Sequence, residues 1–149
     1  MAGIQYLVDS NILIRWVQTG DPGFPVARAS IESLEQSRDI PCYVSQNLGE
    51  FWNALTRPAN RNGYGLSPEQ ADAHTTTIEK RFRLLPDSLE VHQVWRRLLA
   101  DYRVSGVQVN DAKLAAAMHV HGVNRILTFN TKDFERFKDI EAIHPVNLS

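Results

Sequence analysis

The sequence predicts an α/β domain with a mainly parallel, four- to five-stranded sheet flanked by helices. Short apolar runs with strand character lie at residues 4–8, 41–44, 125–129 and 142–146, and a short segment at residues 84–86 precedes a further helix. Longer segments with helical periodicity separate these runs, and such alternation is typical of a parallel sheet. The side chains that follow each strand are of special interest, because functional groups lie at the carboxyl ends of parallel strands.

Local signals define the predicted helices. Pro58 ends one helix, Ser67 and Pro68 form the start of another, and Gly122 ends a third. Asn110 is expected to cap the helix that begins at Asp111. The helical segments are residues 12–17, 26–36, 46–56, a helix from residue 68 onward, 88–102, 111–121 and 131–137.

Length and composition predict a single domain over residues 1–149, with 43% hydrophobic and 22% charged residues. No apolar run approaches the roughly 20 residues that span a bilayer, and the first residues lack signal-peptide features. One cysteine, Cys42, gives no internal disulfide, so we expect a cytoplasmic protein without a membrane partner. The net charge of −1 argues against sequence-independent coating of DNA.

Three aspartates stand at or near helix starts that follow predicted strands or loops. Asp9 directly follows the first strand, Asp111 begins a helix, and Asp133 lies in the first turn after residues 125–129. Taken singly, each is better explained by helix capping and by the helix dipole than by catalysis. The helix of Asp111 is apolar on most of its surface, however, and a carboxylate there requires a partner.

Glu50 has a different pattern. The apolar stripe of its helix consists of Leu48, Phe51, Trp52 and Leu55, and Glu50 points roughly opposite to it. Periodicity alone therefore predicts a solvated surface acid.

Four segments, in order, resemble the motifs of PIN-domain nucleases, and the second resembles the VapC branch. They are residues 6–11 (YLVDSN), 50–58 (EFWNALTRP), 110–117 (NDAKLAAA) and 127–134 (LTFNTKDF). The similarity runs from about residue 4 to residue 146. One departure is Asn130, since some PIN proteins carry Asp at this position.

The resemblance implies a PIN-like three-layer sandwich and a divalent-metal-dependent endoribonuclease. Its acids would be Asp9, Glu50, Asp111 and Asp133, and Asp9 and Asp111 would bind Mg²⁺ or Mn²⁺, which prefer carboxylate oxygens. Glu50 and Asp133 would hold water, orient the nucleophile or bind a second ion.

Other residues are expected to support this site. Asn11 would hold the Asp9 carboxylate, Ser10 would either do likewise or cap the helix, and Asn130 would support or cap the fourth motif. Arg57 and Arg61, which follow the helix of Glu50, could reach RNA phosphates, although solvated surface charge is an equally good explanation.

The resemblance to VapC proteins further implies the toxin of a type II toxin–antitoxin pair, with an antitoxin protein and an RNA substrate as partners and a homodimer as the assembly. Two alternatives remain open: an RNA-processing nuclease outside a toxin system, and a module that binds RNA or protein without cutting. A haloacid dehalogenase-type phosphatase is disfavoured, because its second acid would stand where the chain has Asn11.

Overall fold

Five strands form one sheet in which every neighbouring pair is parallel. The structure is a computed structural model that describes residues 3–148, so residues 1, 2 and 149 of the predicted domain lie outside the described residues. The strand order is β3-β2-β1-β4-β5. The strands are β1 (Gln5–Val8), β2 (Ile40–Tyr43), β3 (Arg83–Leu84), β4 (Arg125–Leu127) and β5 (Glu141–Ile143).

The helices connect the strands and cover the sheet. They are α1 (Ser10–Val17), α2 (Phe24–Gln36), α3 (Ser45–Thr56), α4 (Pro68–Arg81), α5 (Leu89–Asp101) and α6 (Gln108–His121). Three short 3₁₀ turns are formed by Ala59–Arg61, Thr131–Phe134 and Pro145–Asn147. No helix within residues 3–148 is long and apolar enough to cross a membrane.

Alternation along β1 divides the core into two layers of side chains. Leu7 points into the cluster formed with α5 and α6, whereas Tyr6 and Val8 point into the cluster formed with α1 to α4. Successive strand residues face opposite sides of a sheet, so helices cover both of its faces. The predicted three-layer α/β sandwich with a parallel sheet is confirmed.

The position of β1 determines where a ligand can bind. The chain leaves β1 toward β2 and β3 on one side, and it returns through α5 and α6 to β4 on the other side. In open parallel sheets, such a reversal of strand order leaves a crevice at the carboxyl ends of the central strands. The residues that follow β1 and β4 therefore line the expected site.

The start of α6 differs from the prediction. The helix begins at Gln108 with Val107 at the N-cap position, and Asn110 lies inside it instead of capping it. Gly106 has φ +61°, a conformation that glycine adopts without strain. This residue allows the chain to turn and enter the helix three residues earlier than the prediction, which places Asp111 one turn into the helix.

The core position of Leu55 gives a prediction about stability. Leu55 is fully buried in α3, whereas Leu89 at the start of α5 is 73% exposed. We expect Leu55→Ala to lower the free energy of unfolding by about 2–5 kcal/mol, because it leaves a cavity. The matched Leu89→Ala variant should change it by less than about 0.5 kcal/mol. Urea unfolding measures both, and equal losses would contradict this packing.

Candidate active site

Asp9 lies between the end of β1 and the start of α1, where its carboxylate caps the helix. Its Oδ1 accepts hydrogen bonds from the Ser10 backbone N at 2.8 Å and from the Ser10 hydroxyl at 3.4 Å. The cap that the sequence suggested for this helix is therefore Asp9 itself. Ser10 thus contacts this carboxylate through both its backbone and its side chain.

The other oxygen of Asp9 connects β1 to β4. Oδ2 accepts from the Thr128 hydroxyl at 2.8 Å and from the Asn11 side-chain amide at 3.3 Å. Asn11 also donates to the Thr128 hydroxyl at 3.3 Å and accepts from the Phe129 backbone N at 3.2 Å. Asn11 therefore connects Asp9 to the residues that follow β4.

Thr128 was missed as a site residue by sequence reasoning. It is fully buried and directly follows β4, and its hydroxyl also accepts from the Asn130 backbone N at 3.0 Å. A threonine beside a strand is typical of β structure, so the only available signal was its place in the fourth motif.

Asp9 is the most buried of the four acids, with 8% of its surface exposed. Burial raises the pKa of this carboxyl because water no longer solvates the charged form. The hydrogen bonds from Thr128 and Ser10 oppose that rise in pKa, and the charge of Asp133 adds to it. The donors thus stabilise a carboxylate that its surroundings otherwise disfavour.

Asp111 lies on α6, partly buried, within the electric field of the other three acids. Its pKa is raised to about 6, first by burial and then by the charges of Asp133, Asp9 and Glu50. Arg136 opposes this rise. The structure therefore brings together Asp9, Glu50, Asp111 and Asp133, which come from four separate segments of the chain.

Glu50 reaches this group from α3, the helix that follows β2. The start of α3 is fixed by buried Asn47, whose Oδ1 accepts from the Val44 backbone N at 2.9 Å. Glu50 is exposed, as periodicity predicted. Partial desolvation raises its pKa, followed by the charge of Asp9, while a hydrogen bond from Gln46 lowers it. Glu50 is thus a surface acid at the edge of the group formed by the four acids.

Asp133 and Asn130 belong to the turn after β4. Both are exposed, and the Asp133 backbone N donates to the Asn130 carbonyl at 3.1 Å. The Asn130 side chain makes no capping hydrogen bond. Its contribution to the site is the backbone bond to Thr128, which orders the start of the turn.

Arg57 and Arg61 are exposed at the end of α3 and in the turn beyond it. Arg57 Nη2 donates to the Asn62 carbonyl at 3.2 Å. Seven residues, or about two helical turns, separate Arg57 from Glu50. The two arginines are therefore surface cations at the far end of the helix that carries one acid.

The four acids match the ligands that a hard divalent cation prefers. As placed, no three acidic, histidine or cysteine side chains within residues 3–148 are close enough to hold a metal ion. Mg²⁺ keeps several of its waters and often takes only one or two carboxylates. Burial and then the charges of the other three acids disfavour the ionised form of Asp111, and a bound cation would relieve both effects.

A comparison with family models identifies the family of the chain. The model described as the PIN domain matches residues 6–140. The chain belongs to the PIN domain family. The matched range contains all four acids, as the sequence motifs indicated, and a comparison with curated proteins found no match.

Solved structures with the same fold include toxin–antitoxin complexes. VapBC2 from Rickettsia felis, bound to a promoter DNA fragment, has a TM-score of 0.71 at 15% identity and covers 95% of this chain and 98% of that chain. DNA-bound VapBC from Salmonella typhimurium has a TM-score of 0.66 at 18% identity, with coverage of 95% and 98%.

A third similar structure is VapC20 from Mycobacterium tuberculosis, described as a sarcin-ricin loop cleaving toxin. Its TM-score is 0.59 at 21% identity, with coverage of 81% of this chain and 86% of that chain. At these identities the similarity shows that the fold is shared.

The raised pKa of Asp111 predicts how stability depends on pH. Its folded-state value of about 6 exceeds the ordinary value of 3.8, so the folded protein binds the proton more tightly. Without metal, this contribution favours folding at low pH and is lost as pH rises from about 4 to above 6. We expect Asp111→Asn to remove this part of the pH dependence.

The measurement is urea unfolding of wild type and Asp111→Asn in EDTA at pH values across this range. Asp72→Asn, a change at an exposed position on α4, is the matched control and should follow the wild type. Parallel curves for wild type and Asp111→Asn would show that the folded protein does not shift this pKa.

Proposed function

We propose that this protein is a divalent-metal-dependent endoribonuclease, specifically a VapC-type toxin of a type II toxin–antitoxin pair, acting as one PIN-like domain over residues 1–149. The observation that carries the proposal is that four carboxylates from separate segments of the chain lie close to one another, where burial and then neighbouring carboxylate charges raise the pKa values of Asp9, Glu50 and Asp111. Crowded carboxylates destabilise a fold, and strongly perturbed pKa values of this kind are commonly found at functional sites.

The proposed cation is Mg²⁺ or Mn²⁺, held by Asp9 and Asp111. When bound, it supplies an activated water and neutralises charge on the phosphodiester. Asp9 is preorganised for this role, because Ser10 and Thr128 fix the orientation of its carboxylate.

Glu50 and Asp133 are proposed to act through water. Both are exposed at the edge of the carboxylate group, where a substrate and solvent can enter together. We assign them to holding and orienting the attacking water or a second ion. A raised pKa makes a carboxylate a better proton acceptor, and burial and then the charge of Asp9 raise the pKa of Glu50.

The partners follow from the same proposal. An antitoxin is proposed because structures of the same fold are toxin–antitoxin complexes, and an RNA substrate because a further neighbour is described as cleaving the sarcin-ricin loop. Arg57 and Arg61 are exposed cations that can contact RNA phosphates. A homodimer and a cytoplasmic location complete the proposal.

Removing either proposed metal ligand should abolish cleavage. We expect Asp9→Asn and Asp111→Asn to lower the cleavage rate by roughly 10³-fold or more, because the metal contributes several kcal/mol to the transition state. The measurement is bacterial expression with sequencing of new RNA 5′ ends, followed by cleavage of the mapped RNA with purified protein.

Asp72→Asn on α4 is again the matched control, and it should cleave like the wild type. Circular dichroism checks that all variants fold. New 5′ ends that persist with purified Asp9→Asn, free of contaminating nuclease, would remove the assignment. A wild-type protein that generates no 5′ ends but binds RNA would indicate the non-catalytic alternative.

Binding of the cation should stabilise the folded protein in a pH-dependent way. Mg²⁺ competes with protons for Asp111, whose pKa is raised to about 6. We expect Mg²⁺ to raise the melting temperature more at pH 7.5 than at pH 5, and hardly at all in Asp111→Asn. Thermal melts in EDTA and in Mg²⁺ measure the difference; an equal rise at both pH values would contradict binding by this carboxylate.

A further inference from the structure

Arg136 is a cation close to the four acids, and its guanidinium is hydrogen-bonded to a neutral side chain. It follows the turn of Asp133 and is exposed. Its Nη2 donates to Gln108 Oε1 at 2.7 Å. Because Gln108 lies in the first turn of α6, three residues before Asp111, this bond connects the two elements that carry Asp111 and Asp133.

The guanidinium stays close to the carboxylates without pairing with one of them. Among the described residues, no carboxylate oxygen lies within the 4.0 Å ion-pair distance of Arg136. The hydrogen bond to Gln108 therefore holds the guanidinium beside the first turn of α6, near the four acids and without an ion-pair partner among the described residues.

Packing explains why Arg136 faces outward. Phe134 and Phe137, on either side of it, are 0% and 4% exposed and belong to the core cluster under α6. With these two rings anchored, the side chain between them faces solvent. The position of the guanidinium is thus determined by buried groups as well as by Gln108.

We propose that Arg136 binds a phosphate group of the RNA strand at the edge of the four acids, with Gln108 positioning its guanidinium. This inference rests on the proposed function. Guanidinium carries five N–H donors, of which Gln108 uses one, and its planar fork matches two phosphate oxygens. Four carboxylates repel a polyanion, so a fixed cation at their rim offsets this repulsion where the strand enters.

A purely structural role predicts different behaviour. If the Arg136–Gln108 bond only attached the turn to α6, its loss would change stability without changing how cleavage depends on salt. A phosphate contact releases bound counterions, so log(kcat/KM) falls as log[KCl] rises. Loss of one contact makes this negative slope shallower by about 0.7 for a single strand. The salt dependence therefore separates the two roles.

The test uses the RNA fragment that carries the cleavage site mapped by 5′-end sequencing, with Mg²⁺ at a concentration shown by titration to saturate each variant. We expect Arg136→Gln to lower kcat/KM about tenfold or more and to reduce the salt slope by about 0.7. Arg136→Lys should keep the slope, because it keeps the charge, and lose part of kcat/KM with the fork geometry. Gln108→Ala should give a smaller loss than Arg136→Gln.

Arg96→Gln on α5 is the matched control, since it removes the same charge from an exposed position and should leave both quantities unchanged. A wild-type enzyme that cleaves, together with an Arg136→Gln variant of unchanged salt slope, would overturn the role of Arg136 alone. A wild-type protein that cleaves no RNA would overturn the proposed function and this inference together.

Discussion

The buried carboxylate of Asp9 is the constraint on which the arrangement of the site depends. An ionisable group with 8% of its surface exposed is unfavourable unless polar groups surround it. The chain provides Ser10 and Asn11 from the start of α1, and Thr128 from the end of β4. These donors can meet only when β1 and β4 pair in their observed register. The hydrogen bonding of the buried carboxylate therefore depends on the register of the sheet.

Around this fixed carboxylate, the protein leaves negative charge largely uncompensated. Asp111, Glu50 and Asp133 contribute further charge, and the pKa values of Asp9, Glu50 and Asp111 are raised. Ordinary surface acids relax away from one another, but Asp111 is carried by a helix that packs through apolar residues. The rigid layers therefore hold charges together that would otherwise separate, which is the property that distinguishes a binding site from an acidic surface.

Most of the fold followed from the sequence pattern, because strand and helix periods differ clearly and the strands end in recognisable side chains. The role of Thr128 did not, since it depends on the parallel register in which Val8 pairs with Leu127. The periodicity of α3 showed that Glu50 is exposed, but exposure does not reveal which neighbours a side chain meets. The early start of α6 depended on the backbone of Gly106, which local propensity does not determine.

The order of the acids along the chain has a consequence for biosynthesis. Asp111 and Asp133 lie in the last third of the sequence, and β4, which supplies Thr128 to Asp9, is made only after α6. A nascent chain that contains Asp9 and Glu50 but has not yet reached Asp111 lacks the other two acids and Thr128. The four acids of the proposed nuclease site therefore cannot come together on a nascent chain until Asp133 has been synthesised.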